Sequence, residues 1–189
     1  MYQICVSGAH VGLSVNEGRD LAYEVGVAIA KTGHSLLTGA TIGLPNYAAE
    51  AYKKAGGTMS LGISPAATKI EHVMKYRLPT RAYDSILYTG LHYVGRDLLL
   101  INSSDAVISV GGQMGTFHEF AIAVETETPI GFLQGAGGVS SEIIDILHAA
   151  GEARNHKIVF GDTAEELLAK LTVILDKENK KYQDVYERD

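Results

Sequence analysis

Cysteine occurs once in the 189 residues, as Cys5, which excludes an intramolecular disulfide and a zinc site built from cysteines alone. A lone cysteine is compatible with a reducing cytosol, and a cytoplasmic location is the expectation. No run approaches the roughly 18 apolar residues that span a bilayer, so neither a transmembrane helix nor a membrane partner is expected. The opening Met1-Tyr-Gln-Ile-Cys-Val-Ser-Gly8 has no basic stretch ahead of an apolar one and reads as a buried strand rather than a signal peptide. An excess of basic charge is missing too. Lys and Arg number 16 against 22 Asp and Glu, giving a net charge of −6. That disfavours the broad cationic footprint of a nucleic-acid partner, while leaving room for one local cationic spot facing a small anion.

Several catalytic signatures are also lacking. No glycine loop carries the lysine of a Walker motif, no G-x-G-x-x-G with an acidic residue placed for a ribose occurs, and no G-x-S-x-G elbow is present. The seven histidines show no metal-ligand spacing, so no metal is expected. His118 and Glu119 are adjacent but point to different helical faces. His10, after the first strand, is either a solvated loop residue or part of a pocket wall. Cys5 reads as a small buried hydrophobe.

What is present alternates. Short apolar runs at residues 2–7, 34–38, 58–63, 85–88, 106–110, 129–133 and 157–160 predict strands buried on both faces of a parallel sheet. Between them, apolar stripes predict helices over 16–32, from Pro45 to about residue 55, over 90–102, after the glycines at 111–115, and from residue 164 onward. Thr163 and Glu166 form a capping box for the last helix. Strand–helix alternation builds right-handed βαβ units, so the expected fold class is α/β: one doubly wound, Rossmann-like domain over residues 1–175. Seven strands fall short of a β/α barrel. Residues 176–189 read as a charged tail, either a helix extension or disordered, and the long connection 64–84 as a rim or lid.

Ligands in such sheets bind beyond the carboxyl ends of the strands. Glycines mark four of those ends: Gly8; Gly39 and Gly43; Gly111, Gly112 and Gly115; and the Gly135–Gly138 segment. Each loop is either a tight turn that needs glycine for its conformation or a cradle whose amides approach a phosphate. The third loop follows the clearest strand and opens the clearest helix, and it points to anion binding. Glu119 either closes a capping box with Thr116 or projects toward a ligand. Arg96 either pairs with Asp97 or another acid, or offers its planar fork to an anion.

Arg96-Asp97, then Ser104 through Val110, then Gly111-Gly112-Gln113-Met114-Gly115-Thr116-Phe117-His118-Glu119 together resemble the Lonely Guy (LOG) superfamily. Its members share Pro-Gly-Gly-x-Gly-Thr-x-x-Glu with an upstream arginine. They include nucleoside 5′-monophosphate phosphoribohydrolases and molybdenum-cofactor carrier proteins. The resemblance implies that Glu119 and Arg96 are a catalytic pair and that Gly8, Gly39, Gly43, Gly111, Gly112, Gly115 and Thr116 hold a phosphate-bearing small molecule. It implies no resident cofactor, and a homodimer, for which the apolar stretch 91–101 offers a surface. Three positions depart from the hydrolase pattern: Val110 replaces the motif proline, Asp97 stands where lysine or asparagine is usual, and Pro45 where methionine is frequent. The first two lean toward the carrier branch. Two functions are therefore expected in competition: hydrolysis of the N-glycosidic bond of a nucleoside monophosphate, and non-catalytic carriage or sensing of a nucleotide or cofactor. A purely structural subunit explains the glycine density poorly, and no lysine sits in the context of a pyridoxal phosphate aldimine.

Overall fold

The computed structural model describes residues 1–152 and 154–182. Seven strands, β1 (Gln3–Gly8), β2 (Ser35–Thr38), β3 (Ser60–Ser64), β4 (Ser85–Tyr88), β5 (Ala106–Val110), β6 (Ile130–Leu133) and β7 (Ile158–Gly161), form one sheet. Their order is β4-β3-β2-β1-β5-β6-β7, and every pairing is parallel. The helices are α1 (Leu13–Glu17), α2 (Arg19–Lys31), α3 (Leu44–Lys54), α4 (His92–Asn102), α5 (Met114–Glu125), α6 (Ile143–Ala150) and α7 (Ala164–Asn179). This is the doubly wound, Rossmann-like α/β arrangement that the alternation dictates.

Strand residues alternate between two cores, as the pleat requires. In β1, Ile4 and Val6 enter the core beneath α2, α3 and α7, while Cys5 enters the core beneath α4, α5 and α6. Chain order reverses between β1 and β5. The first four strands grow outward on one side, and the chain then returns to lay β5 against the other edge of β1. The switch point opens a crevice beyond the carboxyl ends of these two strands.

The helix expected over 16–32 is α2 and starts at Arg19, because Gly18 is its N-cap and also the C-cap of a separate short helix, α1, that begins earlier, at Leu13. The connection 64–84 is not wholly irregular. It carries a one-turn π-helix, Glu71–Lys75, pinned by buried His72 through Ser64 Oγ at 2.8 Å and the Pro79 carbonyl at 3.0 Å. The charged tail drawn from residue 176 starts as helix: α7 runs through Asn179 with Leu175 buried, and a 3-10 turn follows at Lys180–Tyr182. Residues 183–189 lie outside the described residues. At Thr163 the side chain accepts from Glu166 N at 3.2 Å, but Glu166 Oε2 reaches back to Asp162 N rather than to Thr163. The capping box is therefore half formed.

Close packing of α2 on α3 depends on Gly26. A Cβ there would stand 2.1 Å from the carbonyl oxygen of Ala48 and 3.0 Å from the Ala51 Cβ. The obstacle is backbone, which cannot rotate aside. Gly26→Ala is expected to cost about 1–3 kcal/mol of stability as overpacking, read as a lowered denaturant midpoint with an unchanged slope.

Candidate functional site

A cavity of about 320 Å³ occupies the crevice at the switch point. Ser7, Gly8 and Ala9 at the end of β1 form its floor with Gly39 from the end of β2; Gln113, Gly115 and Thr116 at the start of α5 form one wall, and Tyr93, Arg96 and Asp97 from α4 another. The β2 end is held by its own side chain: Thr38 Oγ1 accepts from Ala40 N at 3.0 Å and shares a 2.8 Å bond with the Tyr83 hydroxyl. Burial pushes the Tyr83 hydroxyl to a pKa of about 12, so it stays protonated. Ala40 takes φ 53°, the left-handed region that a non-glycine residue enters at a cost, directly beside the pocket.

Arg96 and Glu119 meet inside this cavity. Both are buried, at 3% and 8% exposure, which is uncommon for charged residues. Arg96 Nη1 lies 3.4 Å from Glu119 Oε1 and 3.4 Å from Asp97 Oδ1, while Ser7 Oγ donates to Glu119 Oε2. Both ion-pair contacts are long, and Arg96 Nε has no partner among the described residues. A buried guanidinium with donors to spare is suited to receive an anion. At the start of α5 the Phe117 amide is the first to bond back into the helix, reaching the Gln113 carbonyl, so the amides of Gly115 and Thr116 belong to the open first turn. That turn adds the positive end of the helix dipole.

Burial is the main reason that Glu119 has its pKa raised from the ordinary 4.5 to about 6; Arg96 opposes the rise and Asp97 adds to it. With the folded value above the unfolded one, the neutral carboxyl's contribution to stability is complete below about pH 4.5 and is lost as pH rises through about 6. At ~1.4 kcal/mol per pH unit, ionising Glu119 costs the fold about 2 kcal/mol. Glu119→Gln stays neutral at every pH. It is expected to be more stable than the unaltered protein by about that amount near pH 8, and no more stable near pH 4, in parallel denaturant titrations.

Of the residues expected to bind, Gly8, Gly39, Gly115 and Thr116 line the cavity together with Arg96 and Glu119, whereas Gly43, Gly111 and Gly112 stand behind it. A Cβ on Gly43 would lie 2.4 Å from the Ala9 carbonyl, one on Gly111 3.0 Å from the Ala136 carbonyl, and one on Gly112 2.3 Å from Thr116 Oγ1. Those glycines let loops pack and leave room for the Thr116 hydroxyl. The capping box of Thr116 with Glu119 is overturned. Gln113 is the N-cap of α5, Thr116 lies inside the first turn, and the Glu119 carboxylate goes to Ser7 and Arg96 instead. His10 is both exposed and part of the pocket wall.

Sequence reasoning passed over Ser7 and Tyr93. The signal for Ser7 was the pleat: it shares a face with Cys5 and is the one hydroxyl β1 turns toward α5. Tyr93 was hidden in an apolar helix whose outward face could not be told from its pocket face.

The SLOG cluster4 family model matches residues 1–168. An uncharacterized protein of Archaeoglobus fulgidus is 35% identical over 125 residues, which are 66% of this chain and 75% of that one. The molybdenum cofactor binding protein of the phototrophic bacterium Rippkaea orientalis superposes with a TM-score of 0.73 at 26% identity, covering 92% of this chain and 97% of its own. The molybdenum cofactor carrier protein of Chlamydomonas reinhardtii superposes at 0.71 and 25%, covering 93% and 98%.

Proposed function

This chain belongs to the SLOG cluster4 family, and on that premise we propose that its switch-point pocket binds a nucleoside 5′-monophosphate and hydrolyses its N-glycosidic bond. One observation carries the reading: a buried carboxyl, Glu119, held by Ser7 beside a guanidinium with unused donors. The phosphate would lie against the open first turn of α5, at Gly115 and Thr116. Arg96 would hold the anionic side of the substrate. As the bond between C1′ and the base lengthens, the sugar acquires oxocarbenium character, which the Glu119 carboxylate stabilises. A water molecule adds its oxygen to C1′ and gives a proton to Glu119, and the carboxyl passes that proton on to the departing base, which regenerates the carboxylate. The products are free base and ribose 5-phosphate. A carboxyl with its pKa raised to about 6 is largely ionised near neutrality, as a general base should be.

A non-catalytic carrier or sensor of a nucleotide or of molybdenum cofactor is the second reading. It is favoured by Val110 in place of the motif proline and by the two carrier and binding proteins that superpose at 25–26% identity. The net charge of −6 favours neither DNA nor RNA as partner. No helix among the described residues is long and apolar enough to cross a membrane, and a cytoplasmic site of action accords with a single, buried Cys5. Incubation with a panel of nucleoside monophosphates, followed by chromatography, tests the hydrolase. Free base appearing in proportion to protein supports it. A ligand that raises the melting temperature and is recovered intact supports the carrier instead.

The same reading includes a homodimer. On α4, Tyr93, Val94, Leu98 and Leu99 are exposed, Val94 to 70%, and Tyr93 joins this face to the pocket. Leu98→Glu is expected to turn dimers into monomers in sedimentation velocity; an unaltered protein that already sediments as a monomer removes the dimer.

A further inference from the structure

A chain of charged contacts leads from solvent to the pocket. The His118 side chain is 41% exposed, and its Nδ1 lies 2.8 Å from Asp97 Oδ2. The other oxygen of Asp97 faces Arg96 Nη1, which in turn faces Glu119. One guanidinium nitrogen thus serves two carboxylates, and an arriving anion must compete with both. We propose that His118 and Asp97 are a positioning pair for Arg96, in which the proton on His118 sets how strongly Asp97 competes with the ligand's anion for the guanidinium. This rests on the reading that the pocket binds an anion.

The sign follows from charge. With His118 protonated, Asp97 is compensated from outside and Arg96 is released toward the cavity. With His118 neutral, Asp97 draws on Arg96. Linkage then makes anion binding take up a proton, so affinity falls as pH rises through the titration of His118. Histidine is the side chain that ordinarily changes charge near neutral pH. The groups around the pair are few. α4 presents Arg96, Asp97 and Tyr93, α5 itself presents Glu119, β1 presents Ser7 and Cys5, whose thiol burial pushes well up, and His10 stands in the same pocket wall. β6 and the one-turn 3-10 segment Gly138–Ser141, both packed on α5, carry no charged residue. A neutral His118 variant leaves Glu119, Tyr93 and His10 in place and removes only the contribution of His118.

The test has two arms. In the unliganded protein the Arg96 Nε–H resonance, assigned by its absence in Arg96→Lys, is followed by NMR against pH together with the His118 ring. It should show a component coincident with the His118 ring, and in His118→Gln that component should be gone. An Arg96 resonance that responds identically in both proteins overturns the pair. In the second arm AMP affinity is measured by calorimetry on either side of the histidine titration. The unaltered protein should lose roughly fivefold more affinity toward alkaline pH than His118→Gln or Asp97→Asn. A purely structural role for His118 would lower affinity equally at every pH, and equal losses overturn the proposal. If AMP binds to none of the proteins, the nucleotide reading fails while the resonance still decides the pair.

Discussion

Glu119→Ala is expected to release base from AMP about 10²–10⁴-fold more slowly than the unaltered protein, with the apparent affinity for AMP undiminished, since one of the two carboxylates competing for Arg96 is gone. The physical reason lies in timing. A carboxylate that meets the developing positive charge of the sugar acts in the transition state and contributes little to the ground-state complex. Truncation also leaves the buried Ser7 hydroxyl without its acceptor, so Glu119→Gln is the companion variant. It keeps the shape, and by the stability argument above it folds at least as well near neutral pH. Both variants turning over normally would make Glu119 a structural carboxyl. An unaltered protein that liberates no base from any monophosphate would transfer the pocket to the carrier reading.

The second large effect is expected at a residue with no side chain. A Cβ on Gly39 would stand 2.1 Å from Arg96 Nη1, 2.6 Å from Cζ and 2.7 Å from Nη2. The guanidinium therefore lies against the Gly39 backbone, and any side chain there displaces it. Gly39→Val should lower AMP affinity by roughly 10²-fold in calorimetry, within the ~2–5 kcal/mol attached to losing one partner of a buried charged contact. Gly115 gives the contrast. A Cβ there meets no heavy atom within 4 Å, so Gly115→Ala leaves the protein intact and fails to bind only if the ligand itself needs that space. Undiminished affinity in Gly39→Val would mean that Arg96 takes no part in binding.

The hydrophobic pattern was enough to read the sheet. Ala106-Val-Ile-Ser-Val110 is β5 residue for residue, and the other strands shift by at most two positions. Runs buried on both faces leave few alternatives to a parallel sheet. Boundaries went wrong where a local signal was overruled. Gly18 set the start of α2 at Arg19 and closed a short helix ahead of it, and Gln113, not Thr116, took the cap of α5. In the second case a strand on the far side of the pocket supplied a better partner for Glu119 than its own helix did.

The glycine loops divide along the same line. By composition Gly111, Gly112 and Gly115 were one anion cradle. In the fold only Gly115 faces the cavity, and its neighbours accommodate the Ala136 carbonyl and the Thr116 hydroxyl. Spacing along a chain records that Cβ is excluded; it does not record whether a ligand or a neighbouring loop excludes it.

Apolar periodicity and a contiguous motif are local properties of the chain, so the fold class, the strand ends where a ligand could sit and the family were legible before any coordinates. That Arg96 shares itself between Asp97 and Glu119, that Ser7 completes the carboxyl's partners and that His118 connects them to solvent emerged with the folded chain. Those residues come from β1, α4 and α5, separated by up to 112 positions, and nothing in a linear pattern encodes which polar groups a crossover will bury together.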